Sequence, residues 1–385
     1  MKKIAVLGST GSIGRQTLEV ARANPELFTI TALCAHHNSE LLLDQICEFR
    51  PQFAGICLEE RAKGLMGRLP PGTKLEAGEG AACSAAQTDA DIIVIAVSGF
   101  AGLRPLIAAL KLGKKVALAN KESIVCGRGI IDGLISRYGG AILPVDSEQS
   151  AIFQCLNGST RTEIQSLILT ASGGPFRGYT LDQMRHITPE QAMNHPVWSM
   201  GRKISVDSAT MFNKGLEIME AGYLFHVPGD KIRVVIHPQS IVHSMVEFRD
   251  GAVMAQMSVP DMRLAIQYAL TYPERKRGSV KRLSLYDMRE LCFYAPDTEA
   301  FPAIKLAYEA MHVGEAMPIA YNGANEVAVQ KFFEGESGFL DIPRCVEYAM
   351  GKMALSAGAI SSVQDIMAAD AQARRYAGEY YQSRK

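Results

Sequence analysis

The first 150 residues alternate short apolar runs with stretches of helical period. The apolar runs fall at residues 3–7, 29–34, 54–57, 92–97, 115–119 and 141–143. Runs of that length read as strands. Between them, residues 15–23 and 103–110 repeat their apolar positions at helical spacing. A strand–helix–strand rhythm predicts a parallel, doubly wound sheet.

After about residue 150 the pattern changes. Residues 166–169 read as a strand, and 234–236, 244–248 and 253–257 as an antiparallel meander. Asp250-Gly251, between two apolar runs, is a hairpin signal. Gly173-Gly174-Pro175 opens a polar stretch reaching to about residue 203. Within it Thr188-Pro189-Glu190-Gln191 forms a capping box with proline at the first helical position, and Pro196 ends that short helix. Trp198 and Met200 follow. A small helix flanked by glycines and carrying a large aromatic suits either a lid or a piece of core. Residues 271–300 are charged, contain proline and read as a linker; 302–312, 324–333, 344–355 and 363–381 are helical by period. The expected organisation is α/β: a domain of residues 1–148, a middle α+β domain of 149–270 with a candidate lid at about 175–203, the linker, and a small helical bundle over 301–385.

A length of 385 residues agrees with two or three domains. Forty basic and forty acidic side chains leave no overall basic field for nucleic acid. The longest wholly apolar run, residues 92–97, is far too short to span a bilayer. The opening MKKIAVLGSTG mimics a secretion signal, but glycine and serine break it after the four apolar residues Ile4 to Leu7. Eight scattered cysteines without a CxxC pair suggest reduced thiols and a cytoplasmic protein.

Gly8-Ser9-Thr10-Gly11-Ser12-Ile13-Gly14 directly follows the first strand and opens a helix. Glycines there permit a tight turn and let backbone approach a pyrophosphate, which the helix N-terminus then holds. The spacing is GxxGxxG rather than GxGxxG; its position after a strand points to a Rossmann-like dinucleotide site. The second strand ends in Cys34-Ala35-His36-His37-Asn38, without the acid that usually holds the NAD ribose. Two imidazoles and an amide would accept a 2′-phosphate, better when protonated, which favours NADP. The competing reading of His36-His37 is a plain surface loop.

VDSE, residues 145–148, follows the last strand of the parallel sheet, at the edge where ligands bind. In an extended segment Asp146 and Glu148 would share a face. Two like charges on one face ask for a cation, and carboxylates suit Mg²⁺ or Mn²⁺. Alternatively Asp146 or Ser147 caps a helix over 148–156. Residues 205–220 look helical from about Ala209, which sets Asn213, Glu217 and Glu220 on one face, with Lys214 beside them. That stripe fits an oxygen-rich, phosphorylated ligand or an ordinary surface helix. Ser172-Gly173-Gly174 is a further anion-friendly loop. Spacing assigns no role to His195, His237 or His243.

GSTGSIG, ANKES (119–123), PVDSE (144–148), SGGPF (172–176), HPVWSMG (195–201), KISVDSATMFNKGLE (203–217), HPQSIVHSM (237–245) and NGANE (322–326) together closely resemble the 1-deoxy-D-xylulose 5-phosphate reductoisomerases. The resemblance runs from residue 1 into the C-terminal helices. It implies rearrangement of that sugar phosphate and reduction by NADPH to 2-C-methyl-D-erythritol 4-phosphate, on the route to isoprenoids. It implies Asp146, Glu148 and Glu217 as ligands of Mg²⁺ or Mn²⁺. Ser147 and Lys214 would contact substrate, and Lys121 would reach it. Ser172, Ser208, Asn213 and Lys214 would hold the phosphate region, with His195 nearby. Thr10, Gly11, Ser12, Ile13, Asn38, Asn120, Glu122 and Gly201 would line the cofactor, and Trp198 and Met200 would belong to a closing lid. It further implies a homodimer built through the middle-domain sheet; the lack of a recognisable transit peptide suggests a bacterial cytoplasm. One departure stands out: His36 and His37 replace the glycine and basic residue many relatives carry before the asparagine. The rivals are a metal-free NADP-dependent semialdehyde dehydrogenase and a non-catalytic nucleotide-binding protein.

Overall fold

The computed structural model describes residues 1–198, 200–288, 290–355 and 358–384. It comprises two compact units. The first is Met1–Ser123, Ile131–Ser150 and Asp261–Lys281; the second is Ile124–Ile130, Ala151–Pro260 and Arg282–Lys385.

The first unit is built on seven strands: β1 (Lys2–Leu7), β2 (Phe28–Ala35), β3 (Phe53–Ile56), β4 (Lys74–Ala77), β5 (Ile92–Ile95), β6 (Lys115–Leu118) and β7 (Ala141–Pro144). They pair in the order β4-β3-β2-β1-β5-β6-β7, all parallel. The chain winds one way from β1 to β4 and the other from β5 to β7. The β1/β5 junction is therefore the switch point where open α/β sheets bind ligands. Ile4 to Leu7 and Ile93 to Ile95 are wholly buried, as expected of strands covered on both faces. β4 has no counterpart among the apolar runs: its sequence is KLEA and none of its residues is buried. It is an edge strand, where charged side chains blunt an unpaired ladder.

The helix Met262–Thr271 also belongs to this unit, whereas the sequence pattern places residues up to 270 in the middle domain. It packs on the helix Ser12–Ala23, where Arg263 lies 3.3 Å from Glu19. Lys2 Nζ donates to its Leu270 carbonyl at 2.8 Å. Periodicity marks such a helix as amphipathic but cannot say which sheet its buried Ala265, Ile266, Ala269 and Leu270 cover.

The second unit holds β8 (Ile164–Ala171), β9 (Ile232–Ile236), β10 (Val242–Phe248) and β11 (Val253–Met257), in the order β11-β10-β8-β9. The Asp250-Gly251 hairpin forms between β10 and β11, with Gly251 at φ +88°. The expected meander is corrected at β9. It does not pair with β10 but runs parallel to β8 on the far side. A parallel neighbour needs a long crossover, and the helical segment between β8 and β9 supplies it.

The helices Ala303–Val313, Met317–Phe333, Asp341–Ala354 and Val363–Gln382 form the C-terminal bundle. Met317–Phe333 starts seven residues before its expected position. It is buried almost all round from Met317 to Asn325, so no polar face announces it. Among the described residues no helix is long and apolar enough to cross a membrane.

Candidate active site

In the first unit the glycine loop sits at the carboxyl end of β1, on the switch point. Gly8 has φ +84°, and a Cβ there would lie 2.5 Å from the Ala96 carbonyl oxygen. A Cβ on Gly14 would lie 2.1 Å from the Gly8 oxygen. Both positions thus exclude any side chain, and the loop folds flat against the β5 end. Gly11 caps the helix Ser12–Ala23 without a side-chain bond to its first turn. Those N–H groups face an exposed Gly11 and half-buried Thr10, Ser12 and Ile13, a cradle for an anion.

Beside it, β2 ends in exposed His36 and His37, their Nδ1 atoms 3.4 Å apart. Asn38 Oδ1 accepts from the Leu41 N–H at 3.1 Å and caps the next helix. Asn120 and Glu122 are buried. Asn120 Nδ2 donates to the carbonyls of Val97 (3.0 Å) and Gly99 (2.8 Å) and to Glu122 (3.0 Å), while Gly99 N–H donates to Glu122 at 3.2 Å. The pair therefore shapes the loop after β5, a supporting task that the ANKES string did not announce.

β7 ends at Pro144 and a helix starts at Ser147, so VDSE is not extended. Asp146 stands at the N-cap of that helix, as in the capping alternative, and the carboxylate oxygens of Asp146 and Glu148 nevertheless come within 4.8 Å of each other. Asp146 Oδ1 accepts from Ser147 N–H at 3.0 Å, and Ser147 Oγ donates to Glu148 Oε2 at 2.6 Å. Asp146 Oδ2 lies 2.6 Å from Nζ of buried Lys121.

In the second unit Ser172, Gly173 and Gly174 turn sharply after β8, both glycines at positive φ. Ser172 Oγ lies 2.9 Å from His195 Nε2. His195 Nδ1 accepts from the N–H groups of Val197 (3.2 Å) and Trp198 (2.9 Å). That leaves the proton on Nε2, donated to Ser172. Burial pushes the His195 pKa down, in favour of this neutral ring. Trp198 and Met200 are half-buried, and the Trp198 ring lies 6.3 Å from that of His243. His243 itself bonds Ser258 Oγ at 2.8 Å, and His237 lies between the Cys292 carbonyl and the Ile241 and Val242 N–H groups. These two are structural histidines.

The stretch from Gly201 is two helices, Arg202–Ala209 and Phe212–Phe225, broken at Met211 with φ +65°. Gly201 is exposed at the first N-cap, and Ser208 is half-buried near the end of that helix. Asn213, Lys214 and Glu217 share the first turns of the second, and both Asn213 and Lys214 bond Glu217. Glu217 is 1% exposed, so a charged carboxylate there depends on such partners. A third network escaped the sequence reading. Buried Asp207 lies 2.7 Å from Lys203 and accepts from Asn325 at 2.8 Å, fixing the Ser208 helix to the bundle. Its signals are the i,i+4 spacing of Lys203 and Asp207 and the NGANE string.

Residues 4–128 match the family profile "1-deoxy-D-xylulose 5-phosphate reductoisomerase". Residues 142–225 and 257–376 match the C-terminal domains of the same enzyme. The reductoisomerase of Caldanaerobacter subterraneus subsp. tengcongensis is 50% identical over 351 residues, 91% of this chain and 92% of its own. The chain belongs to the 1-deoxy-D-xylulose 5-phosphate reductoisomerase family. Solved reductoisomerases agree in fold. That of Zymomonas mobilis, in complex with NADPH, superposes with a TM-score of 0.93 at 40% identity, covering 99% of both chains. A second, in complex with NADPH, fosmidomycin and magnesium, gives 0.94 at 37% identity, covering 99% of this chain and 98% of that one.

Proposed function

We propose that this enzyme converts 1-deoxy-D-xylulose 5-phosphate to 2-C-methyl-D-erythritol 4-phosphate with NADPH and a divalent metal, in isoprenoid precursor synthesis. Family membership over nearly the whole chain carries the reaction. The residue roles rest on the carboxylates themselves. Asp146 lies against Lys121, and Glu217 against Lys214 and Asn213. Partly or wholly buried carboxylates that each already need a cation suit a divalent ion, and an all-oxygen donor set suits Mg²⁺ or Mn²⁺. We assign Asp146, Glu148 and Glu217 to that ion.

The metal, when bound, supplies a Lewis acid for a carbonyl and a neighbouring hydroxyl oxygen, and NADPH supplies the hydride. The chain's own residues do the rest. Lys214 and Asn213, with Ser208 and Ser172, offer donors to the substrate phosphate. Neutral His195 holds Ser172 Oγ as an acceptor, which leaves the serine hydrogen free to point at that phosphate. Lys121 and Ser147 face the reacting end beside Asp146 and Glu148. Thr10 to Ile13 offer the pyrophosphate cradle, His36 to Asn38 the 2′-phosphate loop, and Asn120, Glu122 and Gly201 border the cofactor. Trp198 and Met200 close as a lid that excludes water from a carbon–carbon rearrangement of retro-aldol and aldol type.

A cytoplasmic homodimer completes the reading. It agrees with eight cysteines outside any disulfide and with the apolar outer strand of the second sheet. The metal-free dehydrogenase and the non-catalytic binder are disfavoured by family membership. The test is NADPH absorbance loss with pure substrate, with and without Mg²⁺, for wild type and Glu148→Gln. Metal-dependent oxidation that collapses in the variant is expected. No oxidation by folded, metal-supplied wild type would defeat the assignment.

A further inference from the structure

We propose that Cys57 is a modification site for low-molecular-weight disulfides, held reactive by Cys34 and placed at the cofactor edge of the first unit. The placement rests on the cofactor reading above; the reactivity does not.

In the β2–β3 register Cys34 faces Gly55, so Cys57, two residues on, is its diagonal neighbour on the same face. Gly55 leaves room for the contact: a Cβ there would lie 3.0 Å from Cys34 Sγ. The Cys34 thiol passes over that gap and stands 4.0 Å from Cys57 Sγ. Both are thiols outside any disulfide, and 4.0 Å between their sulfurs is a hydrogen-bond contact, against about 2.05 Å for an S–S bond.

The two ends of that bond differ. Cys34 is buried, and its bond to Cys57, with burial behind it, pushes its thiol up. Burial favours the protonated thiol at Cys34, which makes it the donor in our reading, toward Cys57 and the Ala35 carbonyl at 3.9 Å. Cys57 is half-buried. The Cys34 thiol and the Ala82 N–H hold it down to about 7, against burial and the Glu79 carboxylate. Cys83 and Glu76 also face this pair; Cys83 interacts with both thiols and has Arg104 beside it. A thiolate with an accessible sulfur attacks one sulfur of R–S–S–R. The S–S bond breaks, Cys57 Sγ bonds to S–R, and R–S⁻ leaves and takes a proton from water. The protein sulfur is oxidised and the departing sulfur reduced; an added thiol reverses the step.

Cys57 is tied to the cofactor edge through backbone. Its N–H donates to the Ala35 carbonyl at 3.0 Å, and Leu58 N–H to the His36 carbonyl at 2.9 Å. An adduct would crowd the His36–Asn38 loop.

The experiment labels the full chain with 4,4′-dithiodipyridine across pH and assigns each site by peptide mass spectrometry. Labelling of Cys57 is expected to be half-maximal near pH 7, against about 8.5 for N-acetylcysteine. In Cys34→Ala the midpoint moves up by about 1.5 pH units. At pH 7 the thiolate fraction then falls about 15-fold, but the more basic sulfur is about fivefold more nucleophilic, so the rate falls about threefold. Above about pH 8 the variant becomes the faster, and that crossing is something a cavity alone does not produce. A wild-type midpoint at the N-acetylcysteine value overturns the proposal even if the variant fails to fold. So does loss of both thiols without an adduct, the mark of a closed disulfide. Bound NADPH, followed by its own fluorescence, is expected to slow Cys57 labelling several-fold. An unchanged rate with NADPH bound overturns the placement. Failure of NADPH to bind at all defeats the cofactor reading instead, while the pH profile still decides the thiol.

Discussion

Glu217 shows how a single side chain is committed by its surroundings. It is 1% exposed and bonded by both Asn213 and Lys214. Replacing it with glutamine keeps the shape and removes the charge that Lys214 needs and that the proposed metal role requires. Glu217→Gln is expected to weaken Mg²⁺ binding by at least about 100-fold, the upper range for groups that merely support ligands. Calorimetric titration of Mg²⁺ reads this independently of turnover, and an unchanged affinity would remove Glu217 from the ligand set. His195 carries a pH dependence of known sign. Its folded pKa lies below the unfolded 6.5, so the unfolded chain binds the proton first as pH falls. Its contribution is complete above about pH 6.5 and is lost on acidification through the folded pKa. Protonation would also cost Nδ1 its acceptor role toward Val197 and Trp198. Wild type should therefore lose stability between pH 7 and about pH 5 more steeply than His195→Gln. Urea titrations at the two pH values with parallel changes would refute this.

At the scale of elements, the glycine loop joins sequence to function most directly. The motif was legible because glycine at residues 8 and 14 answers two steric demands, a φ of +84° and a 2.1 Å approach of backbone to any Cβ. Gly14→Ala must push the helix Ser12–Ala23 away from β1. We expect it to cost about 1–3 kcal/mol of stability and to weaken NADPH binding at least tenfold. Thermal unfolding and fluorescence titration check both, and wild-type affinity in the variant would show that the helix N-terminus does not hold the pyrophosphate. Other elements were harder to read. β4 is polar because it lies on an edge, and the helix Met317–Phe333 lacks a period because it is buried on most sides. The VDSE segment fits alternation and capping equally well until Pro144 is seen to end the strand. Met211 breaks a stretch whose residues all tolerate a helix, and only its left-handed backbone reveals the turn. The choice of candidate site residues does not depend on these local readings, because polar side chains next to a lysine or a glycine turn remain visible whichever element carries them.

At the scale of the whole molecule, the outer strand of the second sheet bears on the proposed dimer. Among the described residues β11 pairs with β10 on one side only, and Val253 and Met254 are 48% and 54% exposed. Edge strands in monomers are usually blunted by lysine, proline or a bulge, since an open apolar edge recruits other chains. β11 reads VMAQM, with neither charge nor proline. Equal numbers of acidic and basic residues also leave no net charge to keep copies apart. A second copy of the chain covering this sheet satisfies both observations, and a stable pair needs about 1,200–2,000 Å² of buried surface, more than the edge alone presents. The sheet face and neighbouring residues must then contribute as well, so one central charge should unseat the whole contact. Met254→Glu is expected to convert a dimer into monomers at micromolar concentration while leaving the far-UV circular dichroism unchanged. Light scattering coupled to gel filtration measures it. A wild type at the mass of one chain would refute the dimer itself. A dimer undisturbed by glutamate at residue 254 would move the interface away from β11.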